Sequence, residues 1–193
     1  MHPFHGEQLA ADRQARFRQE AHTARLVRSA ILTSTGRLHV RSLGPTDIDQ
    51  LRALYHGLSP RSRFLRFMAP IRAVPDTVLQ DLVDIDHDRH GALGAFTGTD
   101  LVASAHWFRV EQAPHRADVA TEVTDAYQRR GVASRLLQLL AQEARAQGIS
   151  EFRATALTEN AGAVALIRAV GWPVTSSFNG AELTVSTTID KPS

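Results

Sequence analysis

One stretch constrains the fold of this chain more than any other. A strand-like run at 117–123, Ala-Asp-Val-Ala-Thr-Glu-Val, is followed by a polar turn and then by a helix that opens at Gly131. That helix carries Val132, Leu136, Leu137, Leu140 and Ala144 on one side and closes at Gly148, an amphipathic pattern that has to cover an apolar surface. EFRATAL at 151–157 reads as the next strand, and NAGAVALIRAVG at 160–171 as the next helix.

The rest of the chain supplies more elements of the same kind. Leu38, Val40 and Leu43 suggest a strand, and Pro45-Thr46-Asp47 caps a helix carrying Ile48, Leu51 and Leu54. Helix starts follow at Ser59-Pro60 and in VPDTVLQDLVD (74–84), where Leu79, Leu82 and Val83 share a side. Two apolar runs around Gly98-Thr99-Asp100 predict a hairpin over 91–110, and the Asn179-Gly180 turn predicts another at the C-terminal end. The order β-α-α-α-β-β-β-α-β-α-β-β fits a mixed α/β sheet flanked by helices. Residues 1–36 read differently, as a polar, Arg- and Gln-rich arm that is helical through Leu9, Phe17, Leu26 and Ile31 or partly disordered. The domain proper is expected over 37–193.

Composition narrows the chemistry. No stretch of the 193 residues approaches the ~20 apolar residues that cross a bilayer, and the first residues lack an apolar signal core, so a cytoplasmic location is expected. With no cysteine there can be no disulfide, thiolate zinc site, iron–sulfur cluster or enzyme thioester. The pI of 9.6 stands beside a formal charge of only +2, because 21 of the 22 basic residues are arginine and almost nothing titrates above the histidine range. The high pI is therefore poor grounds for nucleic-acid binding, which calls for clustered excess charge.

The turn before Gly131 is where chemistry concentrates. A glycine at a helix entrance lets an anion approach backbone N–H groups that lack partners, and the helix dipole favours negative charge there. Arg129 and Arg130 add positive charge beside this phosphate seat, whose ordinary alternative is a plain helix cap. Neither a Walker sequence nor GxGxxG is present.

Val123-x4-Gln128-Arg129-Arg130-Gly131-Val132-Ala133 resembles the acyl-CoA signature of the GNAT N-acetyltransferases, and Asn160-x2-Ala163-x2-Leu166-x4-Gly171-Trp172 resembles the family's later strand-and-helix motif. The likeness covers about residues 37–190, and LSPRSRFLRFM (58–68) and DIDHDRHGALGAF (84–96) are most similar to the catalytic domains of bacterial protein lysine acetyltransferases. It implies a mostly antiparallel sheet of six to seven strands, with strands 117–123 and 151–157 splayed around the pantetheine of acetyl-CoA. Backbone near Val123 would pair with the pantetheine amides, and the amides of Arg129, Arg130, Gly131, Val132, Ala133 and Ser134 would hold the pyrophosphate. Gln128 would shape the loop and Asn160 would contact the CoA arm. Ala133 stands where glycine is more usual. Ile167 stands where many members place a tyrosine acid, which leaves that role unassigned, and Tyr127 reads as packing beneath the turn.

The implied reaction is direct attack of a primary amine on the thioester. A lysine is neutral in only about one molecule in 2,500 at pH 7, so a base is needed. Strand alternation places Asp118, Ala120 and Glu122 on one face. Glu122 is the preferred base, directly or through water, and Asp118 the second; the plain alternative is ion pairing with Arg109 or Arg116.

The acceptor is expected to be a protein lysine or a small amine such as an antibiotic or polyamine; the loops at 59–74, 84–90 and 110–116 carry no motif that chooses. A non-catalytic acyl-CoA sensor is the rival class. No membrane or nucleic-acid partner is expected, and the protein should be a monomer or homodimer. His87-x2-His90 with Asp84, Asp86 and Asp88 matches no compact metal pattern, so no metal is expected. His106 reads as a packed sheet residue, and the arginines at 61, 63, 66 and 72 as an acidic-substrate patch or a solvated pair of helix ends. Lys191 is the single lysine, so any self-acetylated lysine must be Lys191.

Overall fold

The computed structural model describes residues 29–33 and 36–189. The arm before Ser29, with His2, His5 and His22, and the tail with Lys191 lie outside the described residues. Strands β1 (Ser29–Thr33) and β2 (Gly36–Ser42) lead through a 3₁₀ turn at Pro45–Asp47 into helices α1 (Ile48–Gly57), α2 (Pro60–Phe67) and α3 (Asp76–Val83). Then come β3 (His90–Thr97), β4 (Asp100–Val110), β5 (Ala113–Val123), a 3₁₀ turn at Asp125–Tyr127 and α4 (Val132–Ala146). β6 (Glu151–Leu157), α5 (Ala161–Val170), β7 (Val174–Asn179) and β8 (Glu182–Thr188) complete the described part.

The strands form one sheet in the order β1-β2-β3-β4-β5-β6-β8-β7. Every neighbouring pair is antiparallel except β5–β6, which α4 connects. The sheet has eight strands where the resemblance implies six or seven. The additional one is β1, which lies inside the stretch that the sequence assigns to the arm. Ile31 is buried opposite Leu38, but its neighbour Leu32 is 80% exposed, so five residues show no clean alternation to set against the Arg-rich background.

Each face of the sheet has its own core. Leu93, Ala95, Ala103, Ala105, Trp107 and Phe152 meet Val132, Leu136, Leu140 and Ala144 of α4 on one face. On the other, Leu51, Leu54, Leu79 and Leu82 of α1 and α3 cover Leu43, Ala92, Phe96 and Leu101. Close packing also dictates a glycine: a Cβ at Gly91 would sit 2.3 Å from Trp107 Nε1. Asp47, the expected cap, bonds the Gly44 N–H at 3.0 Å and takes both Arg41 guanidinium nitrogens at 2.6 and 2.7 Å, tying α1 to β2.

Candidate active site

β5 follows β4 from Ala117 to Val123, but it pairs with β6 only at Arg116–Glu151, Ala117–Phe152 and Asp118–Arg153. Beyond that point Ala154–Leu157 of β6 pair with β8, and β5 and β6 part company. Thr124 N–H donates to the Val102 carbonyl, so antiparallel alternation aims the N–H and C=O groups of Thr121 and Val123 away from β4, into the gap. The resulting cleft is lined by Val119, Ala120 and Thr121 of β5, Ala154 and Ala156 of β6, Asn160, and Arg66 from α2.

The polar turn above the gap is shaped by side chains. Gln128 Nε2 donates to the Val123 carbonyl at 3.0 Å and to Asp125 Oδ1 at 3.1 Å, closing the loop and committing that carbonyl. Arg129 and Gly131 have φ of 57° and 76°. This left-handed entry suits glycine at Gly131 and brings the chain abruptly into α4. The first i−4 bond runs from Arg135 N–H to the Gly131 carbonyl, so the amides of Val132, Ala133 and Ser134 precede the helical ladder. Tyr127 packs against the α4 core beneath the turn, with Arg130 over its ring at 5.7 Å. Asn160 caps α5 by accepting from Ala163 N–H at 3.0 Å and lines the cleft. These free amides and the apolar gap fit a pantetheine arm ending in a pyrophosphate.

Glu122 and Asp118 share a face of β5 but not a role in the structure. Glu122 is buried on the α1–α2 side, where Oε2 accepts from Arg66 Nε at 2.8 Å and Oε1 accepts from the Tyr55 hydroxyl at 2.7 Å and from the Ser104 hydroxyl. His106 Nε2 lies 3.3 Å from Ser104 Oγ and 3.6 Å from Glu122 Oε1. Burial alone would raise the Glu122 pKa; the Arg66 charge, with His106 and Ser104, more than offsets it and holds the carboxyl well below the usual range. Burial and the adjacent Glu122 charge push the Tyr55 hydroxyl well up, so it stays a donor. Asp118, half-exposed, closes the parallel ladder by bonding Arg153 at 2.6 and 2.9 Å.

Both carboxylates are thus ion-paired, but with Arg66 and Arg153 rather than Arg109 and Arg116. Arg109 donates to the carbonyls of Asp88, Pro114 and Gln147, and Arg116 pairs with Glu151. His87 and His90 diverge: His87 Nδ1 meets the buried Glu143 at 2.8 Å, while His90 Nε2 meets His106 Nδ1 at 3.2 Å. Arg66, Tyr55 and Ser104 are the site residues that sequence reasoning missed. Only Ser104 leaves a signal, because the hairpin register sets it directly opposite Glu122.

The chain belongs to the acetyltransferase (GNAT) family, which it matches over residues 51–172. That family is one of acyltransferases. Among relatives, it is 27% identical to acetyltransferase Pat of Mycolicibacterium smegmatis over 157 residues, 77% of this chain and 45% of that protein. The chain thus spans less than half of that relative's length. The crystal structure of the GNAT domain of S. lividans PAT is 27% identical and superposes with a TM-score of 0.78 over 83% of this chain and 96% of that one. YncA from Salmonella typhimurium, solved with acetyl-CoA, shares the fold at a TM-score of 0.62 and 18% identity, over 80% of this chain and 95% of that one. Among the described residues no helix is long and apolar enough to cross a membrane.

Proposed function

We propose that this enzyme acetylates a primary amine by direct attack, with a protein lysine as the acceptor. The observation that carries the reading is the juxtaposition of two things at the β5 splay: a gap faced by the backbone of Thr121 and the N–H of Val123, and a buried ionised carboxylate connected to it through Arg66. Acetyl-CoA supplies the acetyl thioester, to whose carbonyl carbon an amine nitrogen adds, the C–N bond forming as the C–S bond breaks. The amides of Val132, Ala133 and Ser134, with Arg129, Arg130 and Gly131, receive the pyrophosphate at the head of α4. The backbone of Thr121 and Val123 aligns the pantetheine, Gln128 holds the loop, and Asn160 steadies the arm from α5. Glu122 takes the proton that the acceptor must lose. It is ionised throughout the neutral range, and its low basicity makes it a group that passes a proton on rather than keeping it. Asp118 has no part in this chemistry and pins the closed end of the splay. A thiol leaving group, with a pKa near 8.5, departs without a tyrosine at Ile167.

Support for a protein acceptor comes from the likeness to Pat and to the S. lividans PAT domain. The test is CoA thiol release from acetyl-CoA by the full chain, against candidate proteins, polyamines and aminoglycosides. Stimulation by proteins, with acetyl-lysine mapped by mass spectrometry, is the expected result. Stimulation by small amines alone would replace the acceptor class, and no stimulation by any amine would overturn the reading.

A further inference from the structure

Helix α5 leaves space where its neighbour leaves none. α4 buries Val132, Leu136, Leu137 and Leu140 against the sheet, whereas α5, built from AGAVALIRAV, buries no residue completely. Its Leu166 and Val170 pack against the α4-side core but stay partly open, as does Trp172 just beyond the helix. Arg168 is the single charged residue of α5, so most of what stands open is surface that an apolar ligand can cover.

The open space is the far end of the cleft between β5 and β6. Its floor is the sheet face toward α4 and α5: Ala156 beside Leu183, then Ala154 beside Val185, then Phe152 beside Thr187 and, across Thr187, Val174. β5 and β6 are joined as far as Asp118–Arg153, so the first two rows run alongside the gap and the Phe152 row lies past its closed end. Leu166, Ile167 and Val170 line the space from α5, and Trp172 closes it by meeting Phe152 edge-on, with ring centroids 6.2 Å apart. This extension is apolar. The hydroxyl in its last row, on Thr187, is taken up by the Pro173 carbonyl at 2.6 Å.

Direction decides what can lie there. The pyrophosphate seat is at the head of α4, and the gap leads away from it along β5 toward the closed end. A thioester threaded along the gap carries its acyl group in that direction, with the Arg66–Glu122 pair on one side of the sheet and the apolar extension on the other. From the Ala154 row to the Phe152 row is two residues of strand, about 7 Å. That length takes about five C–C bonds of extended hydrocarbon, far more than an acetyl methyl needs.

We propose that this extension is an acyl-chain room, and that the enzyme transfers straight saturated chains from butyryl to hexanoyl as well as acetyl. The proposal rests on the β5 splay as the donor site. The amine nitrogen bonds to the acyl carbon as the C–S bond breaks; of the two protons the ammonium loses, one ends on the CoA sulfur and the other in water. Each methylene buried against Phe152, Leu166 and Val170 strengthens donor binding about fourfold.

The test is CoA thiol release by the full chain from acetyl-, butyryl-, hexanoyl- and decanoyl-CoA, with poly-L-lysine and spermine as acceptor probes. kcat/KM is expected to be at least as high for butyryl- and hexanoyl-CoA as for acetyl-CoA, and to drop tenfold or more at decanoyl-CoA, where Trp172 ends the room. V170F, which fills the room from α5, should lower the hexanoyl-to-acetyl ratio of kcat/KM at least tenfold. A tenfold loss already at butyryl-CoA, or a ratio unmoved by V170F, overturns the acyl room. Binding supplies a readout that needs neither acceptor nor turnover. Of the two tryptophans, Trp107 is fully buried in the core and Trp172 lines the cavity. Hexanoyl-CoA should shift the emission further to the blue than acetyl-CoA does, and W172F should abolish the difference; equal emission with the two donors overturns the room. Release from acetyl-CoA alone sinks this inference and leaves acetyl transfer standing, whereas release from no donor with either acceptor sinks both.

Discussion

Asp118 and Glu122 stand four positions apart on the same face of β5, each bonded to one arginine, and in sequence both are candidates for the base, Glu122 first and Asp118 second. The Asp118 side chain is 49% exposed and Glu122 only 2%. An exposed pair contributes little to stability, while a buried one locks in place whatever charge its surroundings can neutralise. Environment, rather than residue type, separates an exposed strand clasp from a buried ionised carboxylate. The splay lies between the two: Asp118 stands where β5 and β6 are still joined, and Glu122 where they have separated.

The comparison breaks most visibly at Glu122. E122Q removes the charge that Arg66 needs in a buried setting, and such a loss costs about 3–5 kcal/mol. Expected are a clear fall in Tm and a kcat at pH 7 reduced at least a hundredfold. Restoring stability with R66M in the same chain, while activity stays low, would separate the two effects. The sign with pH follows from the depressed pKa. The unfolded chain binds a proton at Glu122 before the folded one does, so the pair's contribution is full above about pH 4.5 and is lost as the pH falls below it. His90 acts in the same direction and earlier: its folded pKa of about 4 lies below the ordinary 6.5, so stability declines as the pH drops through that window. Chemical denaturation of H90Q between pH 7 and 4, and of E122Q from pH 5 downward, checks both, and a slope unchanged in H90Q would contradict the second.

A smaller effect is expected at the loop beside Glu122. G131A forces an alanine to φ near 76°, at about 1–2 kcal/mol for an L-residue in the left-handed region. The amides of Val132, Ala133 and Ser134 then lose their common aim. KM for acetyl-CoA should rise about tenfold with kcat changed less, and an unaltered KM would move the pyrophosphate away from this helix end.

Legibility in the sequence divides along the same line as the two carboxylates. The strand, turn and helix from Ala117 to Gly148 could be read because their signals are local: alternation, an entrance glycine and an apolar stripe repeat within a few residues. The carboxylates sharing one face follow from the same alternation. What decides between them does not, because Arg66 and Tyr55 reach Glu122 across 56 and 67 residues of chain. Arg66 reads in sequence as one more member of a basic patch, and Tyr55 carries no signal of its own. The histidine pair illustrates the intermediate case. His106 was recognisable as a sheet residue, but its contact with His90 depends on the β3–β4 register, which sets His90 opposite Phe108, diagonally beside His106. β1 was hidden by brevity and by the exposure of Leu32.

The smallest effect belongs to Asp118, and it is the sharpest test of the contrast. D118N leaves Arg153 half in water, where solvent screens it, so stability should fall by no more than about 1 kcal/mol. That loss should shrink further as salt rises, because the charges are within reach of the ionic atmosphere. Turnover should change less than threefold, since Arg116–Glu151 and Ala117–Phe152 still hold the parallel strands together and the splay keeps its closed end. A D118N enzyme as slow as E122Q would mean that the exposed carboxylate also handles the acceptor's proton, and the division of labour along β5 would have to be abandoned.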